Sequence, residues 1–203
     1  MTMPPDREAP AEHPIEALLR RRWSPRSFTG APVAQAAIDS LLEAARWAAS
    51  SSNQQPWHLI LARRDTEPEA FARLLGTLAP GNQAWADKAG VLMLAVARMT
   101  NPANGNPNRD AFYDTGAAMA QMALQAAALG LQLHQMGGFD AAKAREAFGI
   151  PEGYEPAAAI ALGHVAPAEA LPGGMDGALA AREVAPRQRR PIGDWAFFGS
   201  WRQ

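Results

Sequence analysis

The chain has 203 residues, of which 48% are apolar, so it is long enough for one sizeable α/β or α+β domain and too short for two. Its formal net charge of −1 does not indicate a nucleic-acid or membrane partner recognised through bulk charge. The absence of cysteine excludes disulfides, thiolate metal sites and cysteine nucleophiles, and no apolar run is long enough for a transmembrane span. We therefore expect a soluble protein that is cytoplasmic in location.

The N-terminal half is predicted to begin with a disordered leader and then to alternate helices with strands. Residues 1–14 are polar and proline-rich and lack the apolar core of a secretory signal. Apolar side chains recur at helical spacing in residues 15–22, 32–48 and 68–78. Strands are predicted for residues 57–63 and 90–97, and the second is apolar throughout, as is typical of a strand covered on both faces. Pro and Gly indicate a turn at 79–82 and a loop at 101–108.

The longest predicted helix spans residues 110–129. Ala and Met dominate it, it carries hardly any charge after Asp114, and Gly130 stands where a left-handed C-terminal cap is expected. A helix that is apolar on nearly every face is expected to be buried all round, either inside a large core or at a subunit interface.

The C-terminal half is predicted to complete one domain over residues 15–203. Strands are expected at 131–136 and 157–165, with a helix between them for which Asp140 is the N-cap. Residues 167–185, which contain Pro-Gly-Gly and several Ala, indicate a mobile linker. Residues 186–203 carry three arginines and then four aromatic residues, so they are predicted to be a tail that docks on another surface. This order of elements favours an α+β fold in which helices wrap a mixed sheet.

Two polar segments in the N-terminal half are candidates for ligand binding. The first is RRRWSPR (residues 20–26), whose arginines, serine hydroxyl and loop amides suit a terminal phosphate. Its alternative is a solvated basic helix end. The second is SSSNQQPW (residues 50–57), whose short donors and acceptors suit a planar polar ligand, and whose alternative is a plain loop after a helix.

Two further candidates lie in the C-terminal half. Gly137 and Gly138 end a predicted strand, and without side chains they let the backbone approach a ligand closely; an ordinary tight turn is the alternative. Arg187, Arg189 and Arg190 either complete a phosphate clamp or are surface charge. The four histidines lack metal-ligand spacing, so no metal site is predicted, and no P-loop, GxGxxG or nucleophile-elbow motif is present.

Taken in order, these segments resemble the nitroreductase family over residues 15–201. The likeness rests on Arg22-x-Ser24-x-Arg26-x-Phe28, on AARWAASSSNQQPWHLI, on YDTGAAMAQMALQAAALGL, and on MGGFD followed by GIPEGYEPAAAIALG. Each block alone is weakly diagnostic, whereas four blocks in register are specific. The resemblance implies a nitroreductase-like α+β fold and an intertwined homodimer that binds FMN at its subunit interface.

Carried over residue by residue, the resemblance implies an FMN site built from both chains. The phosphate and ribityl chain are expected to contact Arg22, Trp23, Ser24, Arg26, Arg187 and Arg189. The other subunit is expected to contribute Ser50, Ser51, Ser52, Asn53 and Gln55. The flavin ring is expected to contact Asn82, Met136, Gly137 and Gly138, with the Gly137 amide near the flavin N5.

The resemblance also implies a redox activity for which no side chain is assigned as an obligatory acid or base. The cofactor carries the chemistry, while the protein supplies orientation and electrostatics. NADH or NADPH is expected to donate hydride and leave before a small electron acceptor, such as a nitroaromatic or a quinone, takes its place in a ping-pong scheme. The alternative is a non-catalytic protein that binds or stores FMN.

Overall fold

Four antiparallel strands form the sheet at the centre of the protein, whose computed structural model describes residues 7–167 and 177–201. The strands are β1 (Trp57–Arg63), β2 (Val91–Arg98), β3 (Gln132–Met136) and β4 (Tyr154–Gly163). They lie side by side in the order β1-β2-β4-β3. Strands β2 and β3 run in the same direction, as is common for strands joined by a helix, but β4 lies between them. Every neighbouring pair described is therefore antiparallel, and the prediction of a mixed sheet is corrected in this detail.

Helices surround this sheet, which confirms the α+β class. They are α1 (Ala17–Arg21), α2 (Gln35–Arg46), α3 (Pro68–Thr77), α4 (Pro80–Ala86), α5 (Ala111–Ala128), α6 (Ala141–Phe148) and α7 (Gly177–Val184). The N-cap prediction for α6 is confirmed, because the Asp140 carboxylate accepts a hydrogen bond from the Lys143 backbone N–H at 2.9 Å. Gly130 has a φ of +74° directly after α5, as its predicted role requires.

The side chains of β2 alternate between two apolar clusters, one on each face of the sheet. Met93 and Ala95 pack with α2 and α5, whereas Leu92 and Leu94 pack with α3, α4 and α6. Every residue from Val91 to Ala97 is buried. The strand is therefore covered on both faces, as its uninterrupted apolar sequence predicted.

Helix α4 occupies a segment for which the sequence predicted a turn. Pro80, Gly81 and Asn82 are turn-forming residues, but proline is also favourable in the first turn of a helix, where its missing N–H has no partner to lose. The buried Trp85 then anchors this short helix in the core.

Two segments predicted to lack structure make defined contacts. Helix α7 lies within the predicted linker, and residues 168–176 of that linker fall outside the described residues. In the predicted leader, the backbone N–H of Ala9 donates to the Arg20 carbonyl, and the Arg7 guanidinium donates to the Ala185 carbonyl; residues 1–6 fall outside the described residues. Local composition did not predict these structures because their stabilising partners are remote in sequence.

Helix α5 is buried on one side only within a single protomer. Met119 and Met122 pack into the core, whereas the side chains of Phe112 and Tyr113 are 50% and 82% exposed. Of the two predicted alternatives, burial all round inside the core of one chain is excluded, and the outer face of the helix remains available to a partner. In the described part of the chain, no helix combines the length and apolar character needed to cross a membrane.

Candidate functional site

A pocket of about 180 Å³ opens beside the loop that follows α1, and we call it the arginine pocket. It is lined by Arg7, Arg22, Trp23, Ser24, Arg26, Arg182, Glu183, Ala185, Pro186, Arg187 and Arg189. Three segments that are far apart in sequence build it: Arg7 of the predicted leader, residues 22–26, and residues 182–189. The structure thus brings together all six residues that the family resemblance assigned to the phosphate and ribityl chain of FMN.

Two side chains of β3 hold the loop of residues 22–26 in place. The Trp23 backbone N–H donates to Gln132 Oε1 at 3.1 Å. His134 Nδ1 lies 2.8 Å from the Pro25 carbonyl, which can only accept, so Nδ1 carries the proton. Burial lowers the pKa of His134 to about 4, so the imidazole is neutral at pH 7. The loop is therefore anchored to the sheet without adding charge to the pocket.

The tail crosses the leader at the edge of this pocket. Arg187 Nη1 donates to the carbonyls of Arg7 and Arg20, both at 2.8 Å. The Arg7 guanidinium lies 4.8 Å from the centre of the Trp23 ring, a cation–π contact. These contacts hold Arg187 beside Arg22, as a phosphate clamp requires.

Excess positive charge distinguishes the arginine pocket from an ordinary surface cluster, because in the described part of the chain six arginines but one carboxylate are among its lining residues. Burial, with Arg189 as the second cause, lowers the pKa of Arg22, and burial followed by the charges of Arg22, Arg189 and Arg7 lowers the pKa of Arg187. Arginine stays protonated at neutral pH despite such shifts. Within residues 7–167 and 177–201, no carboxylate forms an ion pair with Arg22, Arg187 or Arg189. A phosphate anion bound here relieves this repulsion.

The second predicted group, residues 50–55, forms a strained and largely exposed loop. Ser52, Asn53 and Gln55 have φ values of 49°, 54° and 47°, in the left-handed region that residues with side chains rarely adopt. Asp114, which is 3% exposed, holds this loop by accepting a hydrogen bond from the Ser51 backbone N–H at 3.0 Å. Strain of this kind concentrates at functional sites, because folding alone does not favour it.

The third predicted group meets at the C-terminal end of β3. Asn82 Nδ2 donates to the Gly138 carbonyl at 2.9 Å, and the Ala79 backbone N–H donates to the same oxygen. A Cβ atom at Gly137 would meet nothing within 4 Å, so the backbone there faces open space. Met136 is buried in the core, and it offers a ligand its main chain and not its side chain.

The arginine pocket and the Gly137–Gly138 turn lie along one edge of the sheet, whereas residues 50–55 lie at the opposite edge. The arginine pocket adjoins Gln132 at the start of β3, and the Gly137–Gly138 turn follows the end of that strand, about 18 Å away at 3.3 Å per residue. Residues 50–55 precede β1, at the other edge of the sheet and at the end farthest from Gln132. One protomer therefore does not bring the second group to the other two.

Sequence reasoning did not predict several residues that build these groups. Glu183 and Arg182 were assigned to a linker, Arg7 was assigned to a leader, and Asp114 and His134 were treated as elements of a helix and a strand. Asp114, the single charged residue of the mostly apolar helix α5, was the one sequence signal available. No cluster of His, Asp or Glu in the described residues could hold a metal ion.

Comparison with known proteins identifies the family to which the chain belongs. The model of the nitroreductase family matches residues 19–164, more than two thirds of the chain. The chain belongs to the nitroreductase family. This match confirms the resemblance to the nitroreductase family and the nitroreductase-like fold that the sequence predicted.

Individual relatives in and around this family show how far the similarity extends. A solved structure described as an oxidoreductase containing FMN is 35% identical, with 96% of each chain covered and a TM-score of 0.87. The nitroreductase family protein from Streptococcus pneumoniae TIGR4 shares the fold at 17% identity, with 89% of this chain and 97% of that chain covered and a TM-score of 0.70. A 15.4 kDa protein from the ask 5′ region of Mycolicibacterium smegmatis is 38% identical over 140 residues, which are 68% of this chain and 88% of the relative.

Proposed function

We propose that this nitroreductase-family protein is an FMN-dependent oxidoreductase whose arginine pocket binds the FMN phosphate. The observation that carries the proposal is the convergence of Arg22, Arg26, Arg187 and Arg189, with the Ser24 hydroxyl, around a small pocket in which Glu183 is the one carboxylate among the described lining residues. Guanidinium groups and a hydroxyl are the donors that a phosphate monoester needs. The similar solved structure that contains FMN supports this assignment.

We place the isoalloxazine ring of FMN near the Gly137–Gly138 turn, along the edge strand β3. The open space beside Gly137, which has no side chain, fits a flat ring that lies close to the backbone. Asn82 fixes this turn through the Gly138 carbonyl. When bound, FMN supplies hydride chemistry, and the protein binds it, orients it and limits access to it.

We propose that a second copy of the chain completes each site. The strained loop of residues 50–55 carries polar groups that suit a planar ligand, yet within one chain it lies at the opposite edge of the sheet from the arginine pocket and the Gly137–Gly138 turn. The exposed side of α5, with Phe112, Tyr113 and Ala120, is the apolar surface through which two copies would pack. A homodimer would bring the loop of one protomer to the arginine pocket and turn of its partner.

The proposed electron donor is NADH or NADPH, and the proposed acceptors are small electrophiles such as nitroaromatics and quinones. The protein purified with its flavin should show the visible spectrum of oxidised FMN at about one FMN per chain. Anaerobic addition of NADH or NADPH should bleach that spectrum, and a quinone should then restore it. Initial rates at several fixed acceptor concentrations should give parallel double-reciprocal lines.

Two results would separate catalysis from the alternatives, and one further experiment tests the dimer. A protein that neither retains nor binds FMN contradicts the proposed cofactor. Bound FMN that neither nicotinamide reduces favours FMN storage over catalysis. For the dimer, light scattering of Ala120→Glu should detect monomers with weakened FMN binding, with the exposed Ala72→Glu on α3 as the control.

A further inference from the structure

Glu183 is a buried acidic residue in a pocket otherwise rich in arginine. It lies on α7, and its side chain is 3% exposed. Its Oε1 atom accepts hydrogen bonds from two backbone N–H groups, that of Arg26 at 2.9 Å and that of Ser27 at 3.3 Å. Its Oε2 atom lies 3.7 Å from Arg26 Nη1.

These contacts constrain the part of the loop that β3 does not reach. Gln132 and His134 hold Trp23 and Pro25 from the side of the sheet. The next two residues, Arg26 and Ser27, have their backbone amides held by Glu183, which is 157 positions away from Arg26. A loop without regular secondary structure adopts one conformation only when such contacts satisfy its backbone groups.

Helix α7 also lies close to α4, which carries Asn82 of the other part of the proposed site. Leu179 lies one helical turn before Glu183, and a Cβ atom at Gly81 would lie 3.8 Å from Leu179 Cδ1. Gly81 belongs to α4, the helix that carries Asn82. Glu183 therefore lies on a helix whose preceding turn is close to a second element of the proposed site.

We propose that Glu183 is a positioning residue for the phosphate-binding loop. By holding the amides of Arg26 and Ser27, the carboxylate presents Arg22 and the Ser24 hydroxyl to a phosphate group. Its negative charge also offsets part of the repulsion among the arginines before the anion binds. This inference rests on the proposed function, since it concerns binding of the phosphate of FMN.

The test compares FMN with riboflavin, which has the same ring system but no phosphate. The Glu183→Gln variant retains an oxygen that can accept from both amides, whereas Glu183→Leu keeps a similar volume without an acceptor. Glu146→Ala is the control, because Glu146 is an exposed acidic residue on α6. Each flavin-free protein is titrated with each flavin by fluorescence, and the dissociation constants are compared.

We expect the dissociation constant of FMN to be at least about tenfold higher for E183L than for the parent protein, which is the scale of a lost hydrogen bond to a charged group. The dissociation constant of riboflavin should stay within about twofold of the parent value. E183Q should bind FMN within about threefold of the parent, and E146A should be unchanged. Unaltered FMN binding by E183L, or an equal loss of FMN and riboflavin, overturns the inference. If E183L does not fold, Glu183→Asp replaces it, because the shorter side chain withdraws from the amides while keeping its charge; an FMN affinity equal to the parent's then overturns the inference.

Failure of the proposed function gives a different pattern. If the parent protein does not bind FMN, the FMN proposal fails, and inorganic phosphate then tests the inference on Glu183 alone. Phosphate should raise the melting temperature of the parent and of E183Q more than that of E183L. Equal shifts in all three proteins would overturn the positioning role.

Discussion

Replacement of Arg22 by methionine should weaken FMN binding without lowering the stability of the flavin-free protein. Methionine keeps an unbranched stem and removes the guanidinium group. In the free protein the Arg22 side chain makes a hydrogen bond to Ser24 Oγ at 3.2 Å, and its neighbours Arg187 and Arg189 are also positively charged. Loss of that bond, about 1 kcal/mol, is offset by relief of charge repulsion and of the desolvation of a half-buried cation.

The two expected effects differ in size. A hydrogen bond to a charged group contributes about 1.5–3 kcal/mol, so the dissociation constant of FMN should rise about 10- to 150-fold in Arg22→Met. The free energy of unfolding of the flavin-free protein should change by less than about 1 kcal/mol in either direction. Such a residue contributes to ligand binding and not to folding.

Arg145→Met is the matched control, because this arginine has a structural role. Its guanidinium donates to the carbonyls of Ile150, Pro151 and Tyr154 at 3.1, 2.8 and 2.6 Å, and it pairs with Glu155 at 3.0 Å. Its replacement should lower the free energy of unfolding by about 2–4 kcal/mol, because three carbonyls lose a charged donor, and should leave FMN affinity unchanged.

Fluorescence titration with FMN and urea unfolding of the flavin-free proteins measure the two quantities independently. The reasoning is refuted if R22M binds FMN as tightly as the parent protein. It is equally refuted if R22M loses as much stability as R145M, since Arg22 would then be a structural residue.

Three further predictions follow from burial and contact distances. The free energy of unfolding should fall as the pH is lowered from about 6.5 to about 4, because the pKa of His134 is near 6.5 in the unfolded chain and about 4 in the folded protein, so the unfolded state takes up the proton first. Urea unfolding should show this loss, up to about 3 kcal/mol, in the parent protein but not in His134→Gln. Gly138→Ala should lower the free energy of unfolding, measured by thermal unfolding, by about 1 kcal/mol, because its Cβ would lie 2.7 Å from Asn82 Nδ2. Gly137→Ala should leave thermal stability unchanged, because a Cβ there would meet nothing within 4 Å, but it should slow the reduction of bound FMN in stopped-flow measurements. Met122→Ala should cost about 2–5 kcal/mol in urea unfolding, because the side chain is fully buried, and a smaller loss would contradict its place in the core.

The sequence by itself determined those features that depend on nearby residues. The uninterrupted apolar run of β2 predicted a strand covered on both faces, and Asp140 and Gly130 marked helix ends correctly, because strand burial patterns and caps depend on residues a few positions apart. The same locality misled at Pro80, where proline suits a turn and the first turn of a helix equally well. Family membership was also accessible, since it rests on blocks of local sequence in a given order.

Only the tertiary structure decided how the candidate site is assembled. Glu183 contacts Arg26 across 157 positions, Arg7 contacts Ala185 across 178, and Trp23 contacts Gln132 across 109. Local propensity does not encode such pairs, because each forms only when two segments that are distant in sequence pack against each other. The position of β4 between β2 and β3 was also not predictable from local sequence. Strand pairing depends on the burial of both faces of the sheet together, and no single segment specifies that burial.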